Sequence, residues 1–186
     1  MAQEAQVGCM AFLDAMRDAL KAELMVGDDK IEVDTSDVTK VVVRRGDALV
    51  ALSCFEGERR FYATATASVL ADNNDVLTVE AEGDDPVAAL RELRAEAGRA
   101  AVAYARAVLS LVRAMAREAL RARDPEKARV ALKIIETYVR LARVSLAELA
   151  ELLRLDLTGA TYKVEKTLDK AEDVGSKLLK VAVGGG

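Results

Sequence analysis

The chain has 186 residues, 52% of them hydrophobic but only 4% aromatic, and it carries no tryptophan, no histidine and a net charge of −4. Such a composition builds an aliphatic core of single-domain size and excludes a disordered chain. Without histidine, Ser-His-Asp and Cys-His catalysis and His-bearing zinc sites are excluded, together with the usual proton donor near neutral pH.

A first helix is expected from Ala2 to Met25, where Cys9, Leu13, Met16, Leu20 and Leu24 recur at three- and four-residue steps on one face. Gly27-Asp28-Asp29 ends it. From Ile31 to Glu82 the period falls to two. Val41-Val42-Val43-Arg44 leads into Gly46-Asp47, a two-residue hairpin turn with glycine first. A strand from Ala48 to Phe55, a turn at Glu56-Gly57, a long strand from Arg59 to Leu70, a turn at Asp72 to Asp75 and a strand from Val76 to Glu82 follow. With a short piece near Ile31–Val33 these form an antiparallel meander. The strand at Ala48 is apolar on both faces and therefore central. Its neighbour alternates Phe61, Ala63, Ala65 and Ala67 with Tyr62, Thr64 and Thr66, which gives one face a helix can approach and one that tolerates water.

Asp85-Pro86 and Asp124-Pro125 each place a capping side chain before a proline at the first helical position. After the first, Ala97, Ala101, Tyr104, Val108, Leu111 and Met115 keep a 4-3-4-3-4 spacing; after the second, Ala131, Ile135, Tyr138, Ala142, Ser145, Leu149 and Leu152 do the same. Two helices this long, joined with so little linker, fold back as an antiparallel hairpin. A last helix from about Ala160 to Val183 puts Val164, Leu168, Ala171, Leu178 and Ala182 on one face. The expected fold is α+β: an N-terminal helix, an antiparallel four- to five-stranded meander, then a long antiparallel helical hairpin and a C-terminal helix. Residues 1–84 hold the helix and sheet, 85–183 the hairpin with the C-terminal helix packed on it as one compact unit, and 184–186 a flexible glycine tail.

Charge is sorted along the chain. Residues 1–98 carry 10 basic and 20 acidic groups, whereas 99–143 carry 11 and 4. Heptad phase sets Arg99, Arg106 and Arg113 opposite the hairpin seam, with Lys133 and Arg140 in the same position on the returning helix and Arg129 beside them. A two-helix basic surface of this kind could follow phosphates without reading sequence. The competing explanation is a solvated helical face: Arg121 and Arg123 complement a helix C-terminus, and Glu136 and Arg140 form an i,i+4 pair.

Other patterns carry less. Cys9 and Cys54 are too far apart for a CxxC motif and are expected to be reduced, buried residues. Arg45-Gly46-Asp47 spells an adhesion tripeptide but sits where the hairpin needs its turn. The turn at Asp72 lacks the twelfth-position glutamate of an EF-hand, and no phosphate-binding glycine loop is present. No apolar run is long enough to span a membrane, and the N-terminus lacks a basic secretory start.

The expected function is a non-catalytic structural or scaffolding protein that forms homo-oligomers through apolar helical faces, with Val139, Leu146 and Leu153 as the contacts. The alternative is a nucleic-acid-packaging protein, of nucleoid or nucleocapsid type, gripping phosphates with Arg106, Arg113, Arg117, Arg129, Lys133 and Arg140. A third reading binds a small ligand or partner on the sheet face of Tyr62, Thr64 and Thr66. No cofactor, metal or catalytic residue is expected, and the setting is cytoplasmic or the inside of an assembled particle.

Overall fold

The structure, a computed structural model, describes residues 11–34, 39–55, 60–70, 75–155 and 159–184. Helix α1 (Leu13–Leu24) leads through a 3₁₀ turn at Asp28–Lys30 into strands β1 (Ile31–Val33), β2 (Lys40–Arg45), β3 (Ala48–Cys54), β4 (Phe61–Leu70) and β5 (Asp75–Gly83). Helices α2 (Pro86–Ala122), α3 (Pro125–Leu153) and α4 (Ala160–Gly184) follow. The α+β order is the one the periodicities predict. The start of the expected first helix, with Cys9, lies outside the described residues, as do residues 56–59 and 71–74 of the expected turns. Helix α4 runs through Gly184, where the tail was expected to begin.

The sheet is a simple antiparallel meander in the order β1-β2-β3-β4-β5. Register aligns Val43, Val50, Ala65 and Val79 across the inner face, and Val42, Ala51, Thr64 and Glu80 across the outer one. Ala63, Ala65 and Ala67 are fully buried beneath helices, whereas Tyr62, Thr64 and Thr66 are half-buried on the outer face. Small side chains let the helix backbones come close, so the alanine row faces α2 and α3.

Both long helices start as their caps dictate. The Asp85 carboxylate accepts the Ala88 N–H at 2.8 Å and Asp124 accepts that of Glu126 at 3.0 Å, each followed by proline at the first helical position. Each such cap is worth about 1 kcal/mol. At the C-termini α1, α2 and α3 stop on left-handed residues that are not glycine: Met25, Arg123 and Arg154.

Two cores meet end to end. The sheet core gathers Met16 and Leu20 of α1, the inner strand face, Leu90, Leu93 and Ala97 of α2, and Leu149, Leu152 and Leu153 of α3. The bundle core gathers Ala101, Ala105, Val108 and Val112 of α2, Ile135, Val139 and Leu146 of α3, and Val164, Leu168 and Leu178 of α4. Both long helices therefore cross from one core to the other without a break. At the junction Arg94 donates to the Leu153 carbonyl at 2.7 Å, to the Glu23 carbonyl at 2.9 Å and to the Glu23 carboxylate at 3.1 Å, tying α1, α2 and α3 together.

Glycine is required at two corners. Gly46, at φ +56°, lets the β2–β3 turn lie on α3; a Cβ there would sit 2.5 Å from Glu148 Oε1, whose carboxylate accepts the Asp47 N–H at 3.0 Å. Gly83 ends β5 against the first turn of α2, where a Cβ would fall 2.7 Å from the Ala89 nitrogen.

Cys54 is buried on the inner sheet face and is disulfide-bonded, which corrects the expectation of a free thiol. The burial of Cys54 among apolar neighbours is as its place in the alternation of β3 predicts.

Candidate functional site

Distal to the sheet, α2, α3 and α4 form a three-helix bundle. Helices α2 and α3 are antiparallel, α4 turns back again after α3, and α2 and α4 therefore run parallel. Gly98 packs on Ala160, which sets their relative height.

Three grooves separate the helices, and each has its own chemistry. The α2–α4 groove is open, about 640 Å³, and its lining includes Arg91, Arg94, Arg99, Arg106 and Lys163 beside Val102 and Ala160. The α3–α4 groove, about 540 Å³, is lined by Leu132, Val139, Val144 and Leu179 together with Glu136, Arg140, Arg143 and Glu172. Near the distal end the α2–α3 groove, about 480 Å³, is lined by Met115, Ala119, Val130, Ala131 and Ile134, with Glu118 and Lys127 beside them.

The residues of the expected nucleic-acid surface are distributed over both long helices. Arg106, Arg113 and Arg117 are exposed on α2, and Arg129, Lys133 and Arg140 are exposed on α3. Arg106 borders the α2–α4 groove and Arg140 the α3–α4 groove, on either side of α4. Heptad phase places each stripe on the back of its own helix but says nothing about a third helix docking between the two backs.

On the α3 side Arg143 and Arg129 are paired, whereas among the described residues Lys133 and Arg140 make no ion pair. Arg143 reaches Glu165 at 2.5 Å, Asp169 at 2.8 Å and Glu172 at 3.2 Å, all on α4. Burial alone would lower the Arg143 pKa; its hydrogen bond to Asp169 and the fields of Glu172 and Glu165 outweigh that, so the net shift is upward. Arg129 pairs with Glu126 at 2.9 Å.

On the α2 side the pairing stops at Arg99. Arg99 pairs with Glu96 and lies 3.9 Å from Glu92. Among the described residues, no ion pair is made by Arg106, Arg113 or Arg117 of α2, or by Lys163, Lys170 or Lys177 of α4. The three lysines are the residues that reading the hairpin alone missed. Their signal was available as an exact seven-residue spacing, repeated by Arg99, Arg106 and Arg113.

The expected oligomer contacts are also corrected. Val139, Leu146 and Leu153 are 3, 4 and 0% exposed. The first two are covered by α4 in the bundle core and the third by the sheet core, so none is open to a second subunit. Large apolar side chains are instead exposed toward the far end of the bundle: Leu120, Val130 and Ile134 on α2 and α3, and Leu179, Val181 and Val183 on α4.

The outer sheet face carries Tyr62, Thr64 and Thr66, with Phe55 edge-on to Tyr62 at 5.9 Å. At its edge Arg60 pairs with Glu82 at 2.7 Å and with Asp84 at 3.2 Å. The hydrogen bond from Arg60, and then its charge, hold the Glu82 carboxyl below its ordinary pKa. In the tripeptide Arg45-Gly46-Asp47, Arg45 pairs with Glu151 at 2.7 Å and the Asp47 N–H is held by Glu148, so the turn is docked on α3. Of the expected Asx-rich turn, only Asp75 lies within the described residues. Among those residues no acid, cysteine or histidine cluster could hold a metal ion, and no helix is long and apolar enough to cross a membrane.

Comparisons with protein-family models, with curated proteins and with solved structures find no match to this chain.

Proposed function

We propose that this chain is a non-catalytic structural protein that self-associates through the distal end of its three-helix bundle. The observation that carries the reading is the gathering of exposed apolar side chains there. Val130 is 54% exposed, Ile134 37%, Leu179 46% and Val183 72%, and they come from elements that otherwise bury their large apolar faces. Exposed apolar surface of this kind is unfavourable in water and is relieved when a partner covers it. A second copy is the partner assigned, because it presents the same surface and closes the contact by symmetry. Glu118 and Lys127 border the α2–α3 groove on opposite helices, so a twofold-related copy can set each against its complement.

The non-catalytic part is supported by the absence of histidine and by the structural roles of Asp85, Asp124, Glu148 and Glu172 in caps, a turn and an ion pair. Sedimentation velocity over a wide concentration range tests the association. The expected result is a concentration-dependent oligomer that Val130→Glu with Ile134→Glu returns to monomer. A strict monomer throughout, or an oligomer untouched by those changes, removes the reading.

A further inference from the structure

We propose that the α2–α4 face binds the phosphate backbone of a nucleic-acid duplex. The face is built from two rows of cations in step. Arg99, Arg106 and Arg113 recur every seven residues on α2, and Lys163, Lys170 and Lys177 do so on α4. Seven residues are two helical turns, about 10.5 Å, and drift only about 20° in phase. The helices are parallel, Gly98 sits against Ala160, and Arg99, Arg106 and Lys163 border one groove. The rows therefore run side by side for about 21 Å.

Helix α4 supplies its own control. Along the flank facing α3 it carries Glu165, Asp169 and Glu172, which neutralise Arg143. On the flank facing α2 it carries lysines. Solubility alone asks for mixed signs on each exposed face. Sorting the acids to one flank leaves the other with uncompensated positive charge. The carboxylates at that face are Glu23, paired with Arg91 and Arg94 at its base, Glu92 and Glu96, engaged there by Arg99, and Asp173 on the solvent side of α4. Repulsion between unneutralised rows is relieved by a bound polyanion.

The geometry narrows the polyanion. A duplex advances about 3.4 Å per phosphate on each strand, so a repeat of about 10.5 Å meets every third phosphate, and the rows cover about six base pairs. Single strands are gripped by rings on which bases stack. Here Tyr162, the exposed ring at the start of α4, lies under Lys166, whose Nζ is 5.4 Å from its centroid. A membrane-surface helix needs large apolar anchors among its cations. Among the described residues none of the exposed large apolar side chains lies between the two rows. Contacts to phosphate alone carry no base readout, so binding is independent of sequence.

The test is fluorescence anisotropy of the full chain with a labelled mixed-sequence duplex of about 20 base pairs, titrated between about 50 and 200 mM salt. Neutralising the five unpaired cations Arg106, Arg113, Lys163, Lys170 and Lys177 corresponds to a log–log salt slope of about −4.5. The combined variant Lys163→Gln, Lys170→Gln and Lys177→Gln is expected to lower affinity at least about tenfold at low salt and to bring the slope to about −2. The control Arg129→Gln, Lys133→Gln and Arg140→Gln removes the same charge from the α3 side and is expected to change affinity by less than about twofold. Circular dichroism melts establish that both variants fold. Equal losses in the two variants, or no binding at low salt, overturn the proposal. Tighter binding to a single strand of the same length, or to phosphatidylserine vesicles in place of the duplex, overturns the assignment of the ligand. The distal variant Val130→Glu with Ile134→Glu is expected to keep duplex affinity, which separates failure of this site from failure of association.

Discussion

At the scale of single residues, the informative positions are those where a side chain, or the lack of one, answers a constraint from another element. Gly46 meets two at once, a left-handed backbone and a glutamate from α3 immediately beneath it. The Gly46→Ala variant is expected to lose about 1–2 kcal/mol of stability, from left-handed strain and displacement of Glu148. A shift of the denaturation midpoint without a change in slope checks it, and a neutral result would mean the turn can leave α3 freely. Cys54 teaches the opposite lesson. Its inward phase was readable from alternation along β3, yet its chemical state depends on a partner that no local pattern announces.

At the scale of elements, most of the fold was legible because each signal was local and redundant. Asp-Pro at 85–86 and 124–125 gave both a cap and a fixed first helical φ, and the boundaries of α2 and α3 fall there. The meander was legible because alternation changes at Gly46 and resumes on β3 in the register that a two-residue turn requires. What escaped was the direction in which each helix back points, since that depends on where α4 docks. Val139 and Leu146 illustrate this. Both lie outside the seam positions of the hairpin and are covered by α4 within the chain. The clamp that holds α4 there is Arg143, 24% exposed at its side chain and facing three carboxylates. Arg143→Gln leaves those carboxylates to repel one another and is expected to destabilise the protein by about 1–2 kcal/mol. Amide exchange should rise first in α4; uniform change, or none, would assign the docking of α4 to its apolar face alone.

At the scale of the whole molecule, α2 and α3 belong to both cores, with Ala97 in one and Ala101, one turn on, in the other. Neither core can open without fraying helices that the other needs. Leu153→Ala on the sheet side and Leu168→Ala on the bundle side are each expected to cost about 2–5 kcal/mol and to shift a single unfolding transition seen by probes at either end. Two separated transitions would show that the cores are independent. The corner at Gly83 adds a mechanical consequence. Helix α2, 37 residues, is a lever about 55 Å long, and backbone meets backbone at its root with no side chain between to yield. A load applied at its far end is shared with the helices packed along it and reaches the sheet through the backbone contact at Gly83 and the hydrogen bonds of Arg94.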